Sequence, residues 1–129
     1  ADPSAFDLCV LRSCWNYYED AHAFRSWIDS SESVTDLVNP ATVVRWNLHK
    51  AYLRDVELAG LPVIPTEWCT HGQQLQLADI MDARGWHDVV VKPSISAGSY
   101  RTRRFHRDEI ADGQGTILLA EDVANEKIL

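Results

Sequence analysis

Apolar residues recur at helical spacing in three parts of the chain, and each part is bounded by residues that favour helix ends. Asp20 and Asn47 suit the N-cap position of the first two helices, and Gly60 and Gly85 suit the position after the second and third. The three apolar faces comprise Phe24, Trp27 and Ile28; Leu48, Tyr52, Val56 and Ala59; and Leu77, Ile80 and Met81. The pattern therefore predicts three helices, of which the second runs from Asn47 through Ala59.

Short apolar runs between polar boundaries predict strands. Residues 7–12 indicate a short buried strand, and residues 87–92, with three consecutive valines, indicate a strand that is buried on both faces. Because the loop at residues 94–99 is short, residues 100–106 are expected to return as an antiparallel strand. Residues 127–129 have the composition of a further strand that is just beginning.

The remaining segments are less regular. Residues 30–36 are polar and predict a loop, and residues 37–46 are predicted to be extended or irregular because a proline interrupts them. Residues 62–69 are rich in β-branched side chains and predict a strand or an extended segment, whereas residues 117–125 fit a fourth helix. The mixed order predicts an α+β fold, with a small, mostly antiparallel sheet and helices packed on one face.

The composition fits one globular domain or a piece of one, with 129 residues of which 46% are apolar and 24% charged. A net charge of −7 argues against a general nucleic-acid binder, which needs a basic surface. Three cysteines are an odd and sparse set, which favours free thiols in a reducing cytoplasm. No apolar run approaches the roughly 18–20 residues of a membrane span. We interpret the start, Ala-Asp-Pro-Ser without Met, as an expression scar or a cut site.

Lys92 ends the valine-rich strand and is followed by Pro93 and a loop of small residues, Ser94 to Ser99. A lysine at the end of a buried strand loses solvation, so it needs an anionic partner or a route to solvent. The loop offers backbone N–H groups and hydroxyls, and Gly98 is free to adopt a positive φ. It does not match the Walker A pattern. These residues alone leave two interpretations open, a phosphate or carboxylate contact and an ordinary hairpin loop.

Two further basic features are ambiguous on their own. Lys50 lies on the predicted second helix, away from its apolar stripe, and this position also fits a solvated lysine. Residues 89–107 carry five basic residues and no acid, whereas residues 108–126 carry six acids and no base. The basic hairpin suits a polyphosphate and equally suits pairing with the acidic helix that follows it. The histidines and cysteines lack a metal-ligand spacing, so no metal site is predicted within the chain.

Three segments carry a family resemblance through their order and spacing. They are Arg45-Trp46-Asn47-x-x-Lys50-x-Tyr52-Leu53, Gly60-Leu61-Pro62-Val63-Ile64-Pro65-Thr66, and Val90-Val91-Lys92-Pro93-Ser94-x-Ser96-Ala97-Gly98-Ser99 with Thr102-Arg103. Together they resemble the ATP-grasp superfamily, and in particular the bacterial glutathione-synthetase-like and ribosomal-protein-modification-like ligases. Upstream, Leu11-Arg12-x-x-Trp15-x-Tyr17 is similar to the end of the domain that precedes the grasp in those proteins.

The resemblance implies a role for each lysine. Both would contact the phosphates of ATP, and the loop after the second would fold over them. The ATP-binding residues that it implies are Lys50, Lys92, Ser94, Ser96, Ala97, Gly98 and Ser99. The implied activity is that of a ligase in which ATP, with Mg²⁺, phosphorylates a carboxylate and an amine attacks the acyl phosphate. Cations and N–H donors would stabilise the charge that develops on the transferring phosphoryl group.

The resemblance also implies that the chain is part of a longer protein. We expect residues 1–36 to be the end of the preceding domain with a linking helix, and residues 37–129 to be the first ATP-grasp subdomain, cut at the start of the hinge strand. The Mg²⁺ ligands would lie in a second subdomain, and Glu121, Asp122 and Asn125 are not expected to replace them because they fall on a predicted surface helix. The isolated chain is expected to be inactive as a ligase and to self-associate through the apolar surface exposed at the cut.

A second class of function stays open at this point, a non-enzymatic binding or assembly module whose basic loop and hairpin contact an acidic partner. In the ligase interpretation the partners are ATP and small carboxylate and amine substrates in the cytoplasm, with no nucleic acid and no membrane. A continuation beyond Leu129 with a hinge strand and a later acidic and asparagine set would favour the ligase. A stop after Leu129 would favour the module.

Overall fold

The computed structural model describes residues 2–70, 75–110 and 127–128, which form an α+β structure and confirm the predicted fold class. The described helices are α1 (Ala21–Glu32), α2 (Ala41–Asn47), α3 (Tyr52–Leu58) and α4 (Leu77–Arg84). The described strands are β1 (Leu8–Val10), β2 (Asp36–Val38), β3 (Asp88–Pro93), β4 (Arg103–His106) and β5 (Lys127–Ile128). Short 3-10 turns lie at Pro3–Ala5 and Arg107–Glu109.

The chain divides into two compact units, Ala1–Leu61 and Pro62–Leu129. The first contains β1, β2 and the helices α1 to α3, and the second contains α4 and the strands β3 to β5. This division reflects how compactly each part of the chain folds, and it does not test the domain boundary of a longer protein. The assignment of residues 1–36 and 37–129 to two domains of a longer protein stays a prediction.

In the first unit, β1 and β2 form a parallel pair in which Leu8 aligns with Asp36 and Val10 with Val38. Helix α1 begins as predicted, because the Ala23 N–H donates to Asp20 Oδ1 at 2.8 Å. The prediction that the first strand is buried is wrong, since Leu8 and Val10 are 54% and 58% exposed. An apolar run indicates a strand, whereas its burial depends on which element covers it.

The segment from residue 30 to residue 46 differs from its prediction. Helix α1 continues to Glu32, so the predicted polar loop is shorter. Leu37 and Val38 lie in β2, in agreement with the extended or irregular structure predicted for residues 37–46, whereas residues 41–46 are helical in α2 and contradict it. Pro40 lies at the N-cap of α2, and Ala41 is buried at its first position. The β-branched residues of α2 favour extended structure in isolation, but packing of α2 against α1 overrides that preference.

The segment predicted as one helix, from Asn47 through Ala59, instead contains the end of α2, a turn and α3. Asn47 is the last residue of α2 instead of an N-cap, and α3 begins only at Tyr52. Lys50 therefore lies in the turn between two short helices and is not carried by a helix. The predicted end is confirmed, because Gly60 has a φ of +81° and its N–H donates to the Glu57 carbonyl at 2.8 Å.

In the second unit, β3 is the central strand of an antiparallel sheet, with β4 on one side and β5 on the other. The core of this unit is formed by Cys69, Leu77, Met81, Val89, Val91 and Ile110. The prediction that β3 is buried on both faces is wrong, because Val90 is 45% exposed between two buried valines. The antiparallel return and the strand at residues 127–128 are confirmed, as is the end of α4 at Gly85, which has a φ of +65°.

Some predictions fall on other parts of the chain. The predicted helix at residues 117–125, which includes Glu121, Asp122 and Asn125, lies outside the described residues. The segment 62–69, predicted as a strand or extended, contains no regular strand in the structure as described. None of the described helices is both long and apolar enough to cross a membrane.

Candidate functional site

The central strand of the second unit determines where Lys92 lies. Along β3, Val89, Val91 and Pro93 are buried, whereas Lys92 is half-buried and shares the opposite face with the exposed Val90. Lys92 also aligns with Ile128 of β5, so the strand is paired on both sides near the lysine. The backbone that carries Lys92 is therefore fixed by the sheet.

The loop after Lys92 consists of two consecutive tight turns. In the first, the Tyr100 N–H donates to the Ala97 carbonyl at 3.0 Å. Its central residues, Gly98 and Ser99, have φ values of +58° and +59°, the pattern of a type I′ turn. In the second, the Thr102 N–H donates to the Ser99 carbonyl at 3.0 Å. The loop therefore extends to residue 102, and β4 begins three residues later than predicted.

Two non-glycine residues of this loop adopt backbone conformations that are uncommon for L-amino acids. Ser99 has a φ of +59° and Arg101 a φ of +49°, and neither is an asparagine or aspartate, which tolerate this region better. The Arg101 guanidinium lies 5.4 Å from the centre of the Tyr100 ring. Such conformations cluster at ligand-binding segments, although they do not by themselves identify a ligand.

The small polar residues of the loop are not equally accessible. Ser94 is only 3% exposed, and the Ser96 hydroxyl donates to the Pro93 carbonyl at 3.4 Å. Ala97 is half-buried, whereas Gly98 and Ser99 are exposed. The tip of the loop is thus formed by the turn at Gly98 and Ser99. The predicted role of these residues in ATP binding stays a prediction.

Lys50 lies in the first unit and Lys92 in the second. Lys50 is half-buried in the turn between α2 and α3, and its carbonyl accepts the Leu53 N–H at 3.0 Å. The contribution of both lysines to one ligand site also stays a prediction.

Aromatic pairs lie both at the turn that carries Lys50 and in the segment around Tyr17. The Trp46 and Tyr52 rings lie 5.0 Å apart, and those of Tyr17 and Phe24 lie 5.6 Å apart. Burial raises the pKa of the Tyr17 phenol, and the nearby Tyr52 phenol raises it further. The fold of the first unit thus brings Tyr17 and Tyr52 close together, although they come from separate segments of the sequence.

Acidic residues that precede the basic hairpin in the sequence neutralise part of it. Arg104 of β4 pairs with Asp88 of β3 at 2.9 Å, as their positions on adjacent strands allow. Arg107 donates to both carboxylate oxygens of Asp82 on α4, at 2.7 and 2.8 Å. These hydrogen bonds lower the pKa of Asp82. The sequence did not reveal these partners, because Arg104 and Asp88 are 16 residues apart in the chain and Arg107 and Asp82 are 25 residues apart.

Sequence analysis also missed Asp55, which accepts a hydrogen bond from the Trp46 indole. The relevant signal is the pairing of an indole donor and a carboxylate across a turn, and it appears only once the corner between α2 and α3 is known. Within the described ranges, no three histidine, cysteine, aspartate or glutamate side chains are grouped as metal ligands.

Comparison with known proteins gives concordant matches. The family model described as the D-cycloserine synthetase DcsG N-terminal domain matches residues 1–39. The cycloserine biosynthesis protein DcsG of Streptomyces lavendulae is 36% identical over 109 residues, which is 82% of this chain and 36% of that protein. The crystal structure of D-cycloserine synthetase DcsG superposes with a TM-score of 0.82 at 31% identity, covering 99% of this chain and 43% of that one.

The sequence match and the structural match each extend well beyond the segment that the family model covers. The chain spans less than half the length of each of these two relatives. It is a homologue of the D-cycloserine synthetase DcsG.

Proposed function

We propose that this chain is part of an ATP-dependent ligase of the ATP-grasp type and supplies the phosphate-binding half of its ATP site. The observation that carries the proposal is the placement of Lys92 near the end of the central strand, a few residues before the two tight turns that begin at Ala97. A lysine on a fixed strand, close to a loop that carries backbone N–H groups, suits the charge of a transferring phosphoryl group.

In this proposal Lys50 and Lys92 contact the ATP phosphates, and the loop residues Ser94, Ser96, Ala97, Gly98 and Ser99 cover them. Because Ser94 is buried whereas Gly98 and Ser99 are exposed, the N–H groups of the turn at Gly98 and Ser99 are the part of the loop that we assign to direct contact with the ligand. ATP phosphorylates a substrate carboxylate and leaves as ADP. An amine then attacks the acyl phosphate, and inorganic phosphate leaves as the amide bond forms. The ligands for Mg²⁺ belong to the remainder of the longer protein.

The homology supports an enzyme over the alternative of a non-enzymatic binding module. A matching relative is named as a synthetase, and its product, D-cycloserine, suggests the class of compound that the parent of this chain makes. The family match at residues 1–39 also ends close to residue 36, where we place the domain boundary. A role in making D-cycloserine or a related compound is therefore part of the proposal.

The test is ATP turnover by the full-length protein carrying Lys92→Ala or Lys50→Ala. Removal of either cation should lower kcat/KM for ATP roughly 10²-fold, because the charge in the transition state loses a direct partner. Arg104→Ala is the matched control for Lys92, since it removes a positive charge from the same hairpin but takes it from a side chain that is 75% exposed and paired with Asp88. Turnover at the control level in Lys92→Ala would remove Lys92 from the mechanism.

A further inference from the structure

The turn that carries Lys50 is bridged by two residues that flank it. The Trp46 Nε1–H donates to Asp55 Oδ2 at 2.6 Å, which joins the last turn of α2 to the middle of α3. The Trp46 ring also packs against Tyr52, the first residue of α3, at a centroid distance of 5.0 Å. Lys50 lies between the two ends of this bridge in the sequence.

Short-range hydrogen bonds shape the turn itself. The Ala51 N–H donates to His49 Nδ1 at 3.0 Å, and the Tyr52 N–H donates to the His49 carbonyl at 3.3 Å. The helices α2 and α3 have seven residues each, and as described neither has a side-chain hydrogen bond at its N-cap. Helices of this length are marginal without tertiary contacts. The angle between them at the turn therefore depends on contacts that span it.

A carboxylate acceptor makes the bridge stronger than an ordinary hydrogen bond between neutral groups. Trp46 is 46% exposed, so burial of its ring accounts for only part of what holds it in place. The hydrogen bond adds a directional constraint on the Trp46 ring, because it fixes the N–H edge of the indole relative to α3.

We propose that Trp46 and Asp55 are positioning residues for Lys50, and that their hydrogen bond sets where the lysine ammonium reaches ATP. This inference rests on the proposed function, since it assigns Lys50 a ligand. Neither residue needs to touch ATP. Their effect on ATP binding passes through the turn and therefore through Lys50.

The test is a double-mutant cycle in the full-length protein, with KM for ATP and kcat measured separately. Asp55→Ala should raise KM for ATP about tenfold, because a displaced cation binds the phosphates less well. Trp46→Phe keeps an aromatic ring but removes the N–H, and should have a similar effect. Asp55→Asn keeps an oxygen acceptor and should restore most of the affinity.

The informative comparison is Asp55→Ala in the Lys50→Ala background. If Asp55 acts through Lys50, the second substitution adds no further rise in KM there, whereas a merely structural role gives the same rise in both backgrounds. Asp29→Ala is the matched control, because it removes another exposed carboxylate that accepts a hydrogen bond from α2, here from Arg45 at 2.7 Å. Its KM for ATP should stay at the wild-type value.

Two results would overturn the inference and leave the proposed function intact. One is a raised KM in Lys50→Ala with wild-type KM in Asp55→Ala, and the other is an equal effect of Asp55→Ala in both backgrounds. A wild-type kcat/KM for ATP in Lys50→Ala would instead remove Lys50 from the ATP site, overturning this inference and the Lys50 part of the proposed function, whereas Lys92 is tested separately. Thermal midpoints measured for every variant show whether a change in KM accompanies a loss of folded protein.

Discussion

At the scale of single residues, Cys69 shows how the fold changes the chemistry of a side chain. It is 7% exposed and packs in the core of the second unit with Leu77, Met81 and Val91. Burial and, to a smaller extent, the nearby Glu67 carboxylate raise the pKa of the Cys69 thiol to about 11. The thiolate is the reactive form, so this cysteine is inert at neutral pH although its sequence position gave no sign of it.

We therefore predict that alkylating reagents at neutral pH modify the exposed Cys14 and leave Cys69 unmodified until the protein unfolds. Mass spectrometry of the labelled peptides measures this order. Labelling of Cys69 at the rate of Cys14 under native conditions would contradict its burial.

The same thiol gives a prediction about pH. The thiol loses its proton near pH 9.0 in the unfolded chain and near pH 11 in the folded protein. The contribution of this thiol to the free energy of unfolding is therefore fully present below pH 9.0 and is lost as the pH rises through this interval. Denaturation at several pH values measures the loss. Cys69→Ala should abolish this part of the pH dependence, and Cys14→Ala should retain it.

At the scale of elements, the loop between β3 and β4 depends on backbone conformations that only some residues adopt easily. Gly98 has a φ of +58°, and Gly85 at the end of α4 has a φ of +65°. A Cβ at either position would meet no described atom within 4 Å, so the cost of a side chain there is conformational and not steric crowding. The two glycines therefore form a matched pair, one in the candidate site and one outside it.

Gly98→Ala and Gly85→Ala should each lower the free energy of unfolding by about 1 kcal/mol, the cost of a left-handed conformation for an L-residue. Chemical denaturation measures both. In the full-length protein, only Gly98→Ala should also raise KM for ATP, because only it alters the loop proposed to cover the phosphates. An equal rise in KM for both variants would point to a general loss of stability.

At the scale of the whole molecule, the structural match covers 99% of this chain and 43% of the homologous synthetase. In our proposal it contributes cations and N–H groups for the phosphates, whereas the adenine pocket and the Mg²⁺ ligands come from the remainder of the longer protein. Half of a ligand site provides few contacts to offset the loss of translational and rotational freedom on binding.

We accordingly predict that the 129-residue chain alone binds ATP with a Kd of about 1 mM or weaker, which corresponds to about 4 kcal/mol. Isothermal titration calorimetry of the chain and of the full-length protein measures the difference. Micromolar binding by the chain alone would show that it contains a complete nucleotide site.

Elements with strong local signals were predictable from the sequence. Helix α1 has an aspartate cap and an apolar face, α4 ends at a glycine that adopts a positive φ, and the short loop after Lys92 predicted an antiparallel return. The turn around Lys50 was not predictable, because the sequence continues a helical pattern across it. The structure interrupts the pattern between Asn47 and Tyr52, where the Trp46 indole bonds to Asp55 across the turn and α2 packs against α1.

The sequence by itself determined the α+β class, the Asp20 cap of α1, the glycine ends of α3 and α4 and the position of Lys92 just before a short loop of small residues, because each of these depends on neighbouring residues. Tertiary structure alone decided which face of each strand is buried, which carboxylates pair with the arginines of the hairpin and which contacts span the turn at Lys50. These features join residues far apart in the chain, and their free energies exist only once packing has brought the partners together. Local pattern therefore located the candidate lysines, and tertiary contacts determine how each is presented.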